Sequence, residues 1–253
     1  LIVPDSTRTA PVGLIFKSIH HAISNTAAVL DVMIALGTHP PMSEEAICER
    51  LEISMEERRS EYVKVQFHNH EWDNPDVLRE IGVIPVSDIA ELSGGRFEME
   101  LPVTINRRLY DYDQVIIVGP VFPHEVVGFS GGNKYLFPGV SGPELLNFFH
   151  WLGAVISNPK IIGHKYTAVR KVVDRAGEMV AVDKRCFAMV VRPDKSLAGL
   201  FFGTPESAWD AAADLSNKVH VIYKDRPFHT IVSCAPSMYD DIWVGGKCSH
   251  LLQ

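Results

Sequence analysis

The run Pro123-His124-Glu125-Val126-Val127-Gly128-Phe129-Ser130-Gly131-Gly132-Asn133-Lys134 could support several kinds of chemistry. Glycines let a backbone turn tightly and present N–H groups to an anion. Ser130, Gly131 and Gly132 are therefore candidate contacts to a phosphate-bearing cofactor. Lys134 adds a cation, or a nucleophilic amine where its charge is suppressed. The spacing is neither that of a Walker loop, which needs GxxxxGK followed by Ser or Thr, nor GxGxxG. It does match GxSxG over residues 128–132, which makes Ser130 a candidate hydrolase nucleophile. That elbow should directly follow a buried strand, whereas here the strand candidate ends near Val118 and Pro123-His124 intervenes. The plain alternative is a glycine-rich surface turn with an exposed lysine.

Other reactive side chains stand where apolar runs stop. Residues 1–4 run into Asp5-Ser6-Thr7-Arg8, and residues 28–36 into Gly37-Thr38-His39-Pro40. Residues 62–67 run into His68-Asn69-His70-Glu71-Trp72, and residues 114–118 into Gly119-Pro120 and then His124. One such residue is ordinarily a loop or capping group. Four strand ends carrying Asp, Arg and His would aim them at one crevice, because open α/β sheets bind ligands beyond the carboxyl ends of their strands. His150 lies in the apolar stretch Asn147-Phe148-Phe149-His150-Trp151-Leu152. A lone imidazole there is either a hydrogen-bonded core residue or a nitrogen ligand for a metal. There is no HExxH and no Cys/His cluster at zinc spacing.

The elements that must position these groups alternate between strand and helix. Helical patterns cover residues 12–24, 41–51 with Ser43 as N-cap, 143–157 with proline in the opening turn, 167–179 and 205–219. Strand patterns cover residues 1–4, 28–36, 62–67, 114–118, 187–191, 220–224 and 230–234. The alternation predicts an α/β fold: a Rossmann-like, mostly parallel sheet with helices on both faces. Residues 73–106 are less regular and read as an elaborated connection or a small β excursion. A composition shift near Lys224-Asp225-Arg226-Pro227 reads as a linker. The expected division is a cofactor-binding catalytic domain over residues 1–224, lacking an initial segment, and the start of a second α/β domain over residues 225–253.

The bulk numbers exclude some function classes. The 253 residues are 46% hydrophobic and 22% charged, which is enough apolar material for a core. No run approaches the roughly 18 apolar residues that would span a bilayer, so no membrane role is expected. The net charge of −7 and the lack of basic runs argue against nucleic acid as a partner. Cys48, Cys186, Cys234 and Cys248 are scattered, with no CxxC pair. That usage suggests a reducing cytoplasm.

Taken in order, Asp5-Ser-Thr-Arg8, Gly37-Thr-His39, Asn69-His70, Pro123-His124, Gly128-Phe-Ser-Gly-Gly-Asn-Lys134, Pro138-Gly139 and His150 resemble the lactate racemase (LarA-like) family. The resemblance extends over nearly the whole chain. It implies an isomerase, a 2-hydroxy acid racemase or epimerase, that uses a nickel-pincer nucleotide (pyridinium-3,5-bisthiocarboxylic acid mononucleotide nickel). In that reading Lys134 carries the cofactor covalently and His150 supplies the nitrogen completing square-planar nickel. His39 and His124 are paired acid–base catalysts, one for each face of the substrate. Arg8 holds the substrate carboxylate, Asp5 orients Arg8 or a histidine, and Ser130–Gly132 lie by the cofactor. His70 supports these groups from behind. A histidine takes the hydroxyl proton, hydride passes to the cofactor, and its return to the other face of the 2-keto acid inverts the centre. The implied partners are a small 2-hydroxy acid and, transiently, the cofactor-synthesis enzymes. Lys247 fits a lysine contributed by the family's second domain. Val244 stands where lactate racemases proper carry glutamine, which argues against lactate itself. A serine hydrolase using Ser130, and a non-catalytic nucleotide-binding protein on the same fold, are the competing expectations.

Overall fold

The structure is a computed structural model, and it describes residues 1–23, 26, 29–226, 228–230, 232 and 234. In chain order its elements are β1 (Ile2–Pro4), α1 (Val12–Ile23), β2 (Val32–Ala35), α2 (Glu44–Arg50), α3 (Met55–Arg59), β3 (Phe67–Asn69), β4 (Leu78–Ile84), α4 (Val86–Ser93), β5 (Leu101–Asn106), β6 (Gln114–Pro120), β7 (Pro123–His124), β8 (Gly128–Phe129), α5 (Pro143–Ile156), α6 (Ala168–Glu178), β9 (Asp183–Val191), β10 (Leu197–Gly203) and α7 (Pro205–His220).

Six strands form one sheet in the order β10-β9-β6-β1-β2-β3. All neighbouring pairs are parallel except β9 and β10, which are antiparallel. The chain winds outward from β1 through β2 to β3, then returns to the other side of β1 and winds outward again from β6. The order therefore reverses between β1 and β6, the place where doubly wound sheets open a crevice for ligands.

The pleat divides each central strand between two cores, because successive side chains point to opposite faces. Ile2, Met33, Ile117, Ala188 and Val190 face a layer built from α5, α6, α7 and the β4–β5 hairpin. Val3, Val32, Ile34, Val118, Met189 and Val191 face α1 and α2. α1 buries Val12, Ile15, Phe16 and Ile19, an i, i+3, i+4, i+7 stripe. Each such side chain contributes about 1.5–3 kcal/mol on leaving water. α2 opens where Ser43 accepts from the Ala46 N–H, as expected, and α5 opens on Pro143. The α/β class and the mostly parallel sheet with helices on both faces are as the alternation predicts.

Some boundaries differ from the sequence expectation. Residues 62–66 form no strand; β3 begins only at Phe67. Tyr62 and Val65 are both buried in the core under α1, and their spacing of three suits the turn they occupy rather than a pleat. Residues 220–224 are likewise not a strand. α7 runs on through His220, whose Nδ1 pairs with Ser216 Oγ one helical turn earlier at 2.9 Å and whose Nε2 meets the Val191 carbonyl at 2.8 Å. The strand expected over residues 28–36 shortens to Val32–Ala35, with Ala28 outside the described residues. β10 went unpredicted because Leu197-Ala-Gly-Leu-Phe-Phe-Gly203 has two glycines and no clean alternation. The irregular stretch 73–106 proves to be the antiparallel β4–β5 hairpin with α4 between its strands. The helix end expected at Ser24, the strand expected over 230–234, Val244, Lys247 and nearly all of the expected second domain lie outside the described residues.

Candidate active site

The loop from β1 to α1 leaves the sheet at the reversal point. Asp5, its first residue, is buried and uses both carboxylate oxygens. Oδ1 accepts from the Thr7 N–H at 3.1 Å and from the Thr7 hydroxyl at 2.5 Å. Oδ2 meets His39 Nδ1 at 2.5 Å. Burial alone would raise the Asp5 pKa, but the hydrogen bonds from His39 and Thr7 and the charges of His39 and Arg8 outweigh it. The carboxyl is held below its usual range. The Arg8 guanidinium donates from Nη1 to Thr7 Oγ1 at 3.4 Å, so Thr7 links that side chain to the Asp5–His39 pair.

His39 follows β2, and its side chain is 38% exposed, open enough to meet a ligand. With Nδ1–H donating to the Asp5 carboxylate, a neutral His39 carries its lone pair on Nε2. The neighbouring backbone is fixed by the Gly37 N–H donating to the Gly139 carbonyl at 3.0 Å. His70 follows β3 and is wholly enclosed. Its Nε2 donates to the Ser141 carbonyl at 2.9 Å, and its Nδ1 accepts from Asn106 Nδ2 at 3.2 Å. Burial, only partly offset by the Ser141 bond, lowers its pKa and keeps it neutral. Two loops at the carboxyl end of the sheet thus grip the segment that follows Lys134.

His124 lies on β7, just past the end of β6, and is buried. The Val126 N–H donates to its Nδ1 at 3.1 Å, and a Glu125 carboxylate oxygen stands 3.3 Å from the same nitrogen. The Val126 N–H favours a neutral His124 with its proton on Nε2, the opposite tautomer to His39, while a protonated ring would pair with Glu125. Lys134 sits in a 3-10 turn over Gly132–Tyr135. Its Nζ lies 5.7 Å from the ring centre of Phe149, and that ring also stands edge-on to His124 at 6.3 Å and to His150 at 5.1 Å. One face of α5 thereby gathers His124, Lys134 and His150 around a single aromatic ring. His150 Nδ1 donates to the Leu146 carbonyl at 2.9 Å, which places the lone pair of a neutral ring on Nε2.

The glycine-rich run is held from inside the protein. Arg170 on α6 is fully buried and donates to the Phe129 carbonyl at 2.6 Å and to the Gly131 carbonyl at 3.3 Å. Its guanidinium lies 4.0 Å over the Trp209 ring, and Trp209 Nε1 donates to the Ser130 carbonyl at 3.0 Å. The carbonyls of three consecutive residues are thus taken by two side chains from α6 and α7. The N–H of Ser130 donates to the Phe122 carbonyl, and the Gly132 backbone hydrogen-bonds the Cys186 sulfur. Ser130 Oγ accepts from the Phe122 N–H at 2.9 Å and donates to the Pro120 carbonyl at 3.4 Å. Ser130, Gly131 and Gly132 are buried, with the Ser130 hydroxyl closing the 120–130 loop. That placement gives Ser130 a structural task and does not favour the hydrolase reading. Gly128, at φ +91°, leaves no room for a Cβ beside the His164 carbonyl, so only glycine fits this turn.

Residues 1–162 match the family described as the lactate racemase N-terminal domain. The chain belongs to that family. A curated relative, the lactate racemase of Thermoanaerobacterium thermosaccharolyticum (strain ATCC 7956), is 26% identical over 161 residues, which is 63% of this chain and 33% of that protein. The chain thus spans about a third of the length of this relative. A crystal structure of a Thermotoga maritima protein superposes with a TM-score of 0.88 at 32% identity, covering 98% of this chain and 61% of that one. The apoprotein of the T. thermosaccharolyticum lactate racemase superposes with a TM-score of 0.68 at 21% identity, over 86% of this chain and 48% of that one. This last likeness speaks for the fold.

As a lactate racemase-like domain, the chain can be tested against the cofactor that its resemblance implies. Among the described residues no three His, Cys, Asp or Glu side chains converge on a metal position. The donor set that is present is one imidazole, His150, whose tautomer is fixed by a backbone carbonyl, and one amine, Lys134, on the same aromatic ring. Outer hydrogen bonds that fix the ring and its tautomer are typical of ligating histidines. One amine and one nitrogen donor fit a tethered group that brings its own remaining metal donors.

Sequence reasoning missed several contributors. Thr7 was visible only as part of Asp5-Ser-Thr-Arg8, and Phe149 as an apolar residue on a helix. Asn106, Arg170 and Trp209 gave no signal, since what they bind is a buried imidazole or backbone carbonyls far away in sequence. Among the groups singled out, the structure brings Asp5, Arg8 and His39 together through Thr7, and His124, Lys134 and His150 together around Phe149. His70 stays behind them, against Ser141. No helix among the described residues is long and apolar enough to cross a membrane.

Proposed function

We propose that this chain forms the cofactor-binding part of an enzyme that racemises or epimerises a small 2-hydroxy acid, and that residues from 225 onward begin a second domain. The observation that carries this reading is the gathering of His124, Lys134 and His150 around the ring of Phe149. Membership of the lactate racemase N-terminal domain family supports it.

Lys134 would hold the nickel-pincer nucleotide through its amine, and His150 Nε2 would ligate the nickel. The bound cofactor supplies a hydride acceptor and donor for the 2-carbon of the substrate. Arg8, with a planar guanidinium suited to carboxylates, holds the substrate's acid group. His39, with its Nε2 lone pair set by Asp5, takes the hydroxyl proton of one enantiomer. His124, with a proton on Nε2, returns a proton to the keto oxygen once the opposite face is presented. Imidazoles suit both tasks because their ordinary pKa lies near neutral pH. In the reverse direction the two exchange roles. Lys247 is proposed to reach the substrate, with Val244 shaping a pocket for an acid other than lactate. The buried, free thiols of Cys48 and Cys186 suit a cytoplasmic protein.

The test is to express the full chain with the cofactor-synthesis enzymes, weigh it, and map any adduct. A mass increase on Lys134, with nickel retained, is expected. Single enantiomers of 2-hydroxy acids, followed by chiral chromatography, then identify the substrate. An unmodified, nickel-free chain that racemises none of them overturns the reading.

A further inference from the structure

Asp5 and Arg8 sit in a loop whose side-chain hydrogen bonds join near neighbours, Asp5 to Thr7 and Thr7 to Arg8, while the functional reading needs the whole segment in a fixed place. Within the loop the Arg8 N–H donates to the Asp5 carbonyl at a long 3.4 Å, and the Val12 N–H to the Ala10 carbonyl at 2.8 Å. What ties the two ends together comes from α2. Arg50, in the last turn of that helix, donates from Nε to the Pro4 carbonyl at 3.1 Å and from Nη1 to the Ala10 carbonyl at 3.3 Å. Pro4 is the residue before Asp5, and Ala10 stands two after Arg8. A single side chain therefore brackets the whole Asp5–Arg8 segment.

The chemistry of the bracket is specific to arginine. A guanidinium is planar and its N–H donors point in fixed directions, so two carbonyls bound to it are held at one separation. A lysine of similar reach offers one rotatable ammonium and cannot impose that separation. The Nη2 of Arg50 is buried without a hydrogen-bond partner, so the side chain is spent on the loop ends even at the cost of an unsatisfied donor.

We propose that Arg50 is a positioning residue: its guanidinium sets the distance between the two ends of the β1–α1 loop, and thereby the register of Asp5 against His39 and the position of Arg8. This rests on the racemase reading, and it adds a residue that acts only through others. Loosening the bracket moves the carboxylate-binding arginine and the proton-transfer pair together, so KM and kcat both change.

The experiment compares the full chain with Arg50→Lys, Arg50→Gln and the control Arg58→Lys, an arginine that instead bonds Glu44 and the Tyr62 carbonyl. Three readouts are taken: the urea midpoint, the low-field proton resonance of the Asp5–His39 hydrogen bond, and kcat and KM on a 2-hydroxy acid that the unaltered protein turns over. Arg50→Lys and Arg50→Gln are expected to fold, lose the resonance, and lose about tenfold to a hundredfold in kcat/KM, with KM raised and kcat lowered. The control keeps the resonance. Retention of the resonance in Arg50→Lys, with kcat/KM within about twofold of the unaltered protein, overturns the proposal. So does failure of both variants to fold, because Arg50 would then hold the fold rather than the loop. If the unaltered protein racemises nothing, the functional reading falls, while loss or persistence of the resonance still decides the bracket.

Discussion

Asp5 Oδ2 and His39 Nδ1 lie 2.5 Å apart beside the reversal point of the sheet, joining the ends of β1 and β2. The contact fixes which imidazole nitrogen carries a lone pair, and it gives a protonated His39 a counter-charge. Asp5→Asn keeps the shape, removes the charge and lets the tautomer reverse. Racemisation is expected to fall by about a hundredfold or more, with binding of the hydroxy acid much less affected. Single-turnover kinetics beside equilibrium binding check this. The pair also stabilises the fold. Its carboxyl has a depressed folded-state pKa, so the stabilisation is full above 3.8 and is lost as pH falls through the lower, folded value. Asp5→Asn should flatten that acid limb of the stability curve.

His39 and His124 are expected to be separately necessary in both directions. In the proposed reaction each serves as base for one enantiomer and acid for the other, so His39→Gln and His124→Gln should each slow both conversions by about a hundredfold to ten-thousandfold. Neither change touches Lys134, so the adduct on that lysine should persist. Initial rates from each pure enantiomer, measured beside intact mass, test it. A variant that keeps both conversions within about tenfold of the unaltered protein would remove that histidine from the acid–base pair.

The floor under the glycine-rich run should matter more for stability than its sequence suggests. Arg170→Met removes the Arg170 donors from the Phe129 carbonyl and from the Gly131 carbonyl, which keeps only the Lys134 N–H, and deprives Asp174 of its guanidinium; it is expected to cost about 3–5 kcal/mol. Trp209→Phe removes one hydrogen bond, to the Ser130 carbonyl, and should cost about 1–3 kcal/mol. Because both side chains hold the same loop, the double variant should be less than additive. Urea unfolding of the four proteins checks both magnitudes and the coupling.

These contrasts show what a sequence can convey. Asp5, His39, His70 and His124 were legible because apolar runs that must be strands stop at them, and strand ends converge in a parallel sheet. Lys134 and His150 were legible through a known order of motifs. Phe149, around which three of the groups gather, looks like any apolar residue on a buried helix face. Arg170 and Trp209 bind carbonyls, which have no residue identity to leave a pattern, from 41 and 79 positions away. β3 was misplaced because Tyr62 and Val65 are apolar for the sake of a turn. His70 was placed correctly beyond a strand, yet its direct partner, the carbonyl of Ser141, lies 71 residues on.

Replacing the proposed metal ligand should separate metal binding from cofactor attachment. His150 lies on α5 and Lys134 in the turn before it, so His150→Ala is expected to carry the Lys134 adduct and to lose nickel on desalting. Lys134→Ala should carry neither. Metal analysis beside intact mass distinguishes the two, and nickel retained by His150→Ala would remove that residue from the ligand set.

The neutral, enclosed His70 gives the fold a pH dependence of definite sign. Burial lowers its folded-state pKa below 6.5, whereas in the unfolded chain it takes a proton near that value. Between the two values the unfolded state binds more protons, so stability rises with pH across that window and is level above it. His68 is also lowered by burial and adds a slope of the same sign. Replacing His70 by glutamine keeps an amide that can donate to the Ser141 carbonyl and has nothing to titrate. The urea midpoint of the unaltered protein should therefore fall as pH drops below 6.5, and that of His70→Gln should fall less. An equal fall in both would mean that His70 charges in the folded state, which its bonds to Ser141 and Asn106 do not allow.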